Sequence, residues 1–426
     1  MLETLRNVWR VPELRKKVLY TFFMLLIYRL VSVIPVPGID AATFQGAMAN
    51  YDMLDLMNMM TGSALSQMTL MAMGISPYIN ASIIMQLLCI AIPALERLQK
   101  EGGEEGKKKI TQITRYVTVG LAALQAIGII GGLGAIEPSY RNFFGYVSIG
   151  IIMAGGTALA MWIGERITKN GIGNGISLII FTGIVSSLFN YLLTTFVSIF
   201  SNAGAIVNFL ISIVAIVVIL VIVTIVDMSE RRISVQYAKR VVGRKMYGGQ
   251  STHIPMKLLS VGVLPLIFAF SFMAFPGTLI TIIGGANSGA AQWWQANMTA
   301  NFQNGNFPLG YLLVTTLLII AFTYFYASIS FNPQDIAKNI QQQGGHIPGI
   351  RTGTKTVDYL ARTSKRLCLF AALFLAVMNL IATLLSGIMN IPLGASSVLI
   401  AVSVALETIR QLESQLVMRN YKGFLG

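Results

Sequence analysis

Charged residues are scarce in this chain of 426 residues. Asp, Glu, Lys and Arg together make up 11% of it, whereas soluble domains carry about 25%. Apolar residues reach 54%, and the mean hydropathy is +0.68. This balance excludes an ordinary soluble domain and predicts a polytopic membrane protein.

Cysteine and histidine are also scarce, with two residues of each. Cys89 and Cys368 fall within apolar segments, where buried, inert thiols are favoured over a disulfide. His253 and His346 lie in polar loops. The chain has no zinc-ligand spacing, Walker loop or Ser-His-Asp arrangement, so we expect no metal, no cofactor and no enzyme. The glycine-rich run at 171–177 predicts a tight turn into an apolar segment rather than a phosphate loop.

Acidic residues are missing from the interior of the apolar segments. Ion-coupled transporters usually place Asp, Glu or His within the membrane, and no such relay can be drawn here. Arg29 is the clearest charged residue inside a segment, while Asp227 and Glu407 lie near segment ends. The sequence therefore disfavours an ion-coupled transporter.

Ten apolar segments can be read along the chain, which places both termini on the same side of the membrane. They run over 18–35, 62–93, 112–134, 145–164, 175–200, 204–226, 259–283, 309–330, 366–388 and 393–412. Of the 31 Lys and Arg residues, Arg141 alone falls in a connection on the opposite side. Under the positive-inside rule, the termini and the long connections are expected to be cytoplasmic.

The second segment, from Thr61 to Pro93, is broken near its middle by Gly74 and Pro77. We expect a half-helix over Ala64–Met73, about 15 Å long, which reaches halfway through a hydrocarbon core of about 30 Å. A broken helix is tolerated at membrane depth where it is buried in protein or lines an aqueous cavity. The segment is therefore a candidate pore element, and a kinked packing helix is the alternative.

Two long basic connections, at 227–258 and 331–365, are expected to project from the membrane. Positive charge sets topology and attracts anionic lipid. Connections of this length are often functional, so a docking surface for a cytosolic partner is an equally good interpretation.

Isoleucine pairs four residues apart face the same way in the broken segment and in the fifth segment, and single isoleucines stand in the seventh and tenth segments. A single isoleucine is more typical of a core or a lipid-facing surface, but a ring of them can close a water-filled pore by dewetting it. These residues are Ile75, Ile79, Ile176, Ile180, Ile267 and Ile400.

Five motifs, in order, resemble those of the SecY family of protein-translocase channel subunits. They are MGISPYINASIIMQLL at 73–88, WIGERITKNGIGNGISLIIFTGI at 162–184, RRISVQYAKRVVGRKMYGGQSTHIPMKLL at 231–259, GVLPLIFAFSFMAFP at 262–276, and FNP at 331–333 with HIPGIR at 346–351. The resemblance covers nearly the whole chain.

The resemblance implies an all-α membrane protein with ten transmembrane helices in two pseudo-symmetric halves around an hourglass pore. Residues 1–200 would form the first half and residues 201–426 the second. Unfolded polypeptides would cross through the pore, and apolar segments would leave sideways into lipid. The expected membrane is the bacterial cytoplasmic membrane.

The resemblance also implies roles for individual residues. The pore ring falls on the six isoleucines named above, and a re-entrant half-helix at about 61–71 would be the plug. The plug residues are Gly62, Ser63, Ala64, Leu65, Ser66 and Gln67. The lateral gate falls on Gln86, and the docking residues are Arg240, Arg244 and Arg351.

The implied partners are the SecE and SecG subunits, the SecA ATPase, the ribosome, unfolded preproteins with their signal sequences, and anionic lipid, with no sequence-specific nucleic acid. The plug approach at 51–73 is unusually rich in methionine, and Gln67 replaces a basic residue common in the family. An accessory member of the family with restricted clients remains open. Two competing functions are a secondary transporter, which the broken helix favours, and a membrane-embedded enzyme.

Overall fold

The computed structural model describes residues 6, 9–48, 52–200, 205–237, 240–242, 245–247, 251–259, 262, 264–284, 288–299, 309–389 and 395–422. Helices dominate these ranges. In chain order they are α1 (Pro12–Val31), α2 (Ala41–Met48), α3 (Asp52–Thr61), α4 (Ser76–Ala91), α5 (Pro93–Lys100), α6 (Gly103–Leu133), α7 (Phe143–Asn170), α8 (Gly175–Ile199), α9 (Ala205–Met228), α10 (Leu264–Gly284), α11 (Gly289–Met298), α12 (Leu309–Ser330), α13 (Pro333–Gln342), α14 (Thr354–Met389) and α15 (Ala395–Lys422).

Each of the ten predicted apolar segments contains a helix. By length and composition, 6 helices in the described ranges could cross a membrane, or 7 if α4 and α5, which meet at a bend of 105°, form one span. The helix α1 does not meet these criteria because basic residues occupy its first turns and Arg29 its last. The predicted helical membrane fold is confirmed.

The helices form one packed bundle rather than a row of independent spans. The helix α6 packs along α4 and α7, and α10 packs against α4, α6 and α12. On another side, α8 packs against α3, α7 and α15, while α9 packs against α8 and α15. The helices on either side of residue 200 therefore contact each other through α9, α10 and α15.

The predicted half-helix over Ala64–Met73 is wrong. The helix in this region is α3, which ends at Thr61, and the chain from 62 to 75 runs through turns. Gly62 and Ser63 adopt left-handed backbone angles, with φ of 69° and 70°, and such angles end a right-handed helix. The interruption of the span therefore begins twelve residues before Gly74 rather than at it.

The two long connections fold together, which the sequence did not predict. Strand β1 (Glu230–Tyr237) pairs antiparallel with β4 (Ser251–Lys257) and with β5 (Gly345–His346), and a separate pair joins β2 (Arg240–Val242) to β3 (Lys245–Tyr247). We call residues 230–257 and 331–367 the loop module.

The loop module has its own apolar core. Its buried side chains come from β1, β4, α13 and the start of α14, and they form a cluster separate from the core of the bundle. They are Ile233, Val235, Met256, Ala337, Ile340, Ile347, Leu360 and Leu367. The two connections therefore form one folded unit, because each covers apolar surface of the other.

A buried ion pair ties the end of α9 to α15. The Arg410 guanidinium lies 3.1 Å from the Asp227 carboxylate and donates a 2.6 Å hydrogen bond to the Asp227 backbone carbonyl. The Asp227 side chain is only 9% exposed. A carboxylate this deeply buried depends on its partner.

We predict that Arg410→Leu destabilises the protein by about 3 kcal/mol, because it leaves a buried carboxylate unpaired. The measurement is thermal unfolding of the purified protein in detergent. Arg232→Leu is the matched control, since its pair with Glu230 is largely solvent-exposed and is worth at most about 1 kcal/mol. Equal, small shifts in both variants would show that the Asp227–Arg410 pair is not a stabilising contact.

Candidate functional site

The six isoleucines lie in the same apolar cluster at the centre of the bundle. They come from α8, α10, α15 and the start of α4. Five are at most 5% exposed, and Ile176 is partly buried and packs against the same cluster. The structure thus brings together residues separated by more than 300 positions in sequence.

Local sequence explains how the first two isoleucines are presented. Gly74 has a left-handed backbone (φ 53°), so the chain turns there, and Ile75 caps α4 with Pro77 in the first turn. The Ile79 amide donates to the Ile75 carbonyl at 3.1 Å. The two side chains therefore stand one turn apart on the same face of α4.

The glycine-rich run before α8 is a tight helix-capping turn, as predicted. The Asn174 side chain accepts hydrogen bonds from the amides of Ile176 and Ser177, which caps the helix. A Cβ at Gly175 would lie 2.0 Å from the Gly164 carbonyl oxygen of α7. Only glycine allows this approach, which holds the first turns of α8, with Ile176 and Ile180, against α7.

The predicted plug residues divide between two apolar surfaces. Ala64 is 2% exposed and belongs to the central cluster. Leu65 is fully buried in a second cluster made with α2, α3, α6 and α7. Gln67 is exposed. We call the non-helical residues 62–74 the plug segment, after the role that the resemblance implies for the stretch at about 61–71, and residues of this segment belong to both clusters.

Backbone hydrogen bonds hold the plug segment to the chain that follows α1. The Val36 amide donates to the Met68 carbonyl at 3.0 Å, and the Leu70 amide donates to the Ile34 carbonyl at 2.8 Å. Thr69, which lies between Met68 and Leu70, forms an antiparallel β-bridge with Pro35. These bonds satisfy main-chain groups that a helix would otherwise pair internally.

Side chains from α3 and α2 satisfy further polar groups of the plug segment. The Asn58 carboxamide oxygen accepts from the Ser66 amide at 2.9 Å, and the Thr61 hydroxyl accepts from the Leu65 amide at 3.3 Å. The Gln45 amide donates to the Ser66 carbonyl at 3.2 Å. The turns are therefore defined structure rather than loose chain.

Two glycines on neighbouring helices let backbone approach backbone, and sequence inspection did not single them out. A Cβ at Gly156 of α7 would lie 1.8 Å from the Leu70 carbonyl oxygen, and one at Gly183 of α8 would lie 1.9 Å from the Met60 carbonyl oxygen. Any larger residue would push the plug segment or the end of α3 away. The only signal in the sequence is a glycine within a long helix.

Gln86 lies on α4, the helix that packs against α6 and α10. Its Oε1 atom is buried and has no hydrogen-bond partner among the described residues.

Two of the predicted docking residues, Arg240 and Arg351, lie in described parts of the loop module. Arg351 is exposed in the turn between β5 and α14, and its backbone carbonyl accepts from the Thr356 hydroxyl at 3.0 Å. Arg240 begins β2. Arg244 lies outside the described residues.

No group of three or more His, Cys, Asp or Glu side chains that could hold a metal ion occurs in the described ranges. The candidate site is therefore described by its apolar cluster, to which Ala64 and Met71 of the neighbouring non-helical segment contribute.

Comparison with known proteins agrees with this geometry. The SecY family model matches residues 69–409. The chain is 41% identical to the protein translocase subunit SecY of Streptomyces galbus and 40% identical to that of Bacillus subtilis, in both cases over 100% of each chain.

Solved structures share the fold. A protein-conducting channel matches with a TM-score of 0.67 at 20% identity, over 93% of this chain and 91% of that one. Sec61 from a canine ribosome–channel complex of the endoplasmic reticulum matches with a TM-score of 0.65 at 18% identity and the same coverage. With a family match across most of its length and full-length relatives at about 40% identity, the chain belongs to the SecY family of protein translocase subunits.

Proposed function

We propose that this chain is a protein-conducting channel that moves unfolded polypeptides across a membrane and releases apolar segments sideways into lipid. The observation that carries the proposal is that six isoleucines from four separated parts of the chain meet at one apolar cluster, which also includes Ala64 and Met71 of the plug segment, in a member of the SecY family. A channel of this kind needs no catalytic residue or cofactor of its own, because a partner supplies the energy.

An aliphatic ring suits a passage for polypeptides of varied sequence. Isoleucine side chains offer no hydrogen bonds to a passing chain, so they do not hold it. They can separate to admit it, and a narrow apolar ring excludes water and slows ion leakage. The burial of the ring residues matches a closed ring.

The plug segment would block the pore when no substrate is present. Its support is its burial: Leu65, Met71 and Met73 have no exposed surface. Methionine is unbranched and fills irregular gaps, so the methionine-rich segment can pack against both apolar clusters without a helix of its own. A solved SecY structure that matches this fold is described as having a plug domain that stabilises the closed state.

The lateral gate would open between α4 and α6 on one side and α10 and α12 on the other. The closed gate is supported by the packing of α10 against both α4 and α6. Gln86, with its unsatisfied Oε1, would be the polar position along this boundary. Residues 1–200 and 201–426 would then be the two halves that separate.

The loop module would receive the partner that drives transport. In this proposal it lies in the cytoplasm with both termini, and the membrane is the bacterial cytoplasmic membrane. Arg351 is exposed at its surface, and Arg240 begins strand β2, which pairs with β3. SecA or a translating ribosome would dock there, and the small subunits SecE and SecG would pack against the bundle. Two matching solved chains come from ribosome-bound complexes.

Polar substitution of the ring tests the pore. We expect Ile180→Asn and Ile267→Asn to raise the resting ion conductance of bilayers containing the purified protein severalfold, because a polar side chain lets water enter the constriction. Val185→Asn is the matched control, since Val185 is on the same helix as Ile180 but is exposed on the outside of the bundle. Ring variants as tight to ions as wild type would refute the ring assignment.

Charge reversal at the loop module tests docking. We expect Arg351→Glu to depress motor-driven transport severalfold while thermal unfolding stays unchanged, because the side chain is exposed and the substitution removes no internal contact. Lys338→Glu makes the same charge change at an exposed position of α13. Normal transport by a well-folded Arg351→Glu protein would count against the docking role.

A further inference from the structure

Arg29 is the charged residue inside the first apolar segment, and its position in the bundle gives it two backbone partners. Its Nη2 atom donates a 2.5 Å hydrogen bond to the Thr182 carbonyl oxygen of α8. Its Nη1 atom lies 3.5 Å from the carbonyl oxygen of Gly62, the first residue of the plug segment. One guanidinium therefore joins α1, the helix that carries Ile180, and the plug segment.

The fit between Arg29 and Gly62 is close. A Cβ at Gly62 would lie 2.3 Å from Nη1 and 2.4 Å from Nη2, and Gly62 has a left-handed backbone (φ 69°). The guanidinium thus occupies the space in which any other residue would carry its side chain. Glycine at this position meets two requirements, the turn that ends α3 and the room for Arg29.

Carboxylates do not account for the position of the Arg29 charge. Within the described residues, none of the ion pairs involves Arg29. Arg29 is partly buried and lies within an apolar segment, where a cation is costly and is normally functional. Here the Arg29 guanidinium is satisfied by two backbone carbonyls. Its positive charge therefore stabilises the arrangement in which both carbonyl oxygens face the guanidinium, and disfavours an arrangement in which either carbonyl has moved away.

The same junction has further contacts between α3 and α8. The Ser187 hydroxyl donates to the Met59 carbonyl at 3.2 Å, and Gly183 lies against the Met60 carbonyl. These contacts seat the end of α3 on α8, one to two turns beyond Ile180. Movement of α8 as the ring widens would therefore act on this junction.

We propose that Arg29 is a latch that holds the plug segment closed and sets how strong a signal sequence must be to open the channel. The inference rests on the proposed function. When a substrate widens the ring and α8 moves, the Thr182 carbonyl leaves the guanidinium, the hold on Gly62 weakens, and the plug segment can depart. Arg29 is a positioning residue, since it acts on the plug segment and does not touch the substrate.

The test is the resting ion conductance of bilayers containing the purified channel. Arg29→Met keeps an unbranched side chain but removes its charge and donors. We expect the open fraction to rise by about tenfold, the effect of losing one charge-assisted hydrogen bond. Arg29→Lys keeps the positive charge but lacks the planar guanidinium that can donate to two carbonyls at once. We expect this variant to leak ions to an intermediate extent. Gly62→Ala, which displaces the guanidinium from the other side, should also leak.

Arg141→Met is the matched control, because Arg141 also bonds a backbone carbonyl, that of Ile136 at 3.2 Å, but is exposed and has no hydrogen bond to the plug segment among those of the described residues. The Arg29→Met substitution is also made in a second version of the channel, from which residues 64–70 are deleted. In that version, Arg29→Met should add no further leak, since nothing remains to latch. The same additional leak with and without residues 64–70 would reveal a general structural role and overturn the latch.

Two outcomes separate the latch from the channel assignment. If the deletion leaks while Arg29→Met conducts like wild type, the latch is wrong and the plug assignment stands. If the deletion itself stays tight, the plug assignment fails. Should Arg29→Met not fold, wild-type conductance in both Arg29→Lys and Gly62→Ala would overturn the latch.

Transport stringency gives an independent readout. We expect Arg29→Met to export a preprotein with a weakened signal sequence that the wild-type channel rejects, while export of a preprotein with an intact signal sequence is unchanged. Continued rejection of the weakened signal sequence by a folded Arg29→Met channel would contradict the role in stringency.

Discussion

The structure depends on how one stretch of non-helical backbone is satisfied inside a membrane protein. Lipid offers no hydrogen bonds, so irregular backbone survives at membrane depth only where protein surrounds it. The plug segment meets this condition through its own turns, through backbone bonds to the chain after α1, and through side chains such as Asn58. Glycines at 156 and 183 let α7 and α8 come close enough to complete the enclosure.

On the proposed function, this arrangement would combine a seal with a hold that can be released. Apolar residues of the plug segment pack into two clusters, while the hydrogen bonds that fix its position come from neighbouring elements. A continuous helix in the same place would satisfy its own backbone and would not depend on its neighbours. A chain of turns that relies on α1, α7 and α8 responds when those helices move. The departure from regular structure is therefore part of how such a plug can open.

The sequence was sufficient to predict the helices, and the resemblance supplied the candidate pore residues. Long apolar runs predict spans because each helix satisfies its own backbone, and the six isoleucines to which the resemblance pointed meet at one apolar cluster. Local propensity could not predict the turns at Gly62 and Ser63, since the bonds that stabilise them come from distant residues. The sheet of the loop module escaped prediction for the same reason, as β1 pairs with strands from two separate connections. Arg29 stood out as a charge in an apolar run, but its partners are backbone carbonyls, which every residue possesses.

The most direct test of the channel is whether a moving polypeptide touches the ring. A photocrosslinker at Ile180 would be challenged with a secretory chain stalled during transport, and a crosslinker at Val185, exposed on the outside of the same helix, would serve as the control. We expect the stalled chain to crosslink to position 180 and not to position 185. A chain that is demonstrably engaged yet never crosslinks to position 180 would contradict a passage through the centre of the bundle.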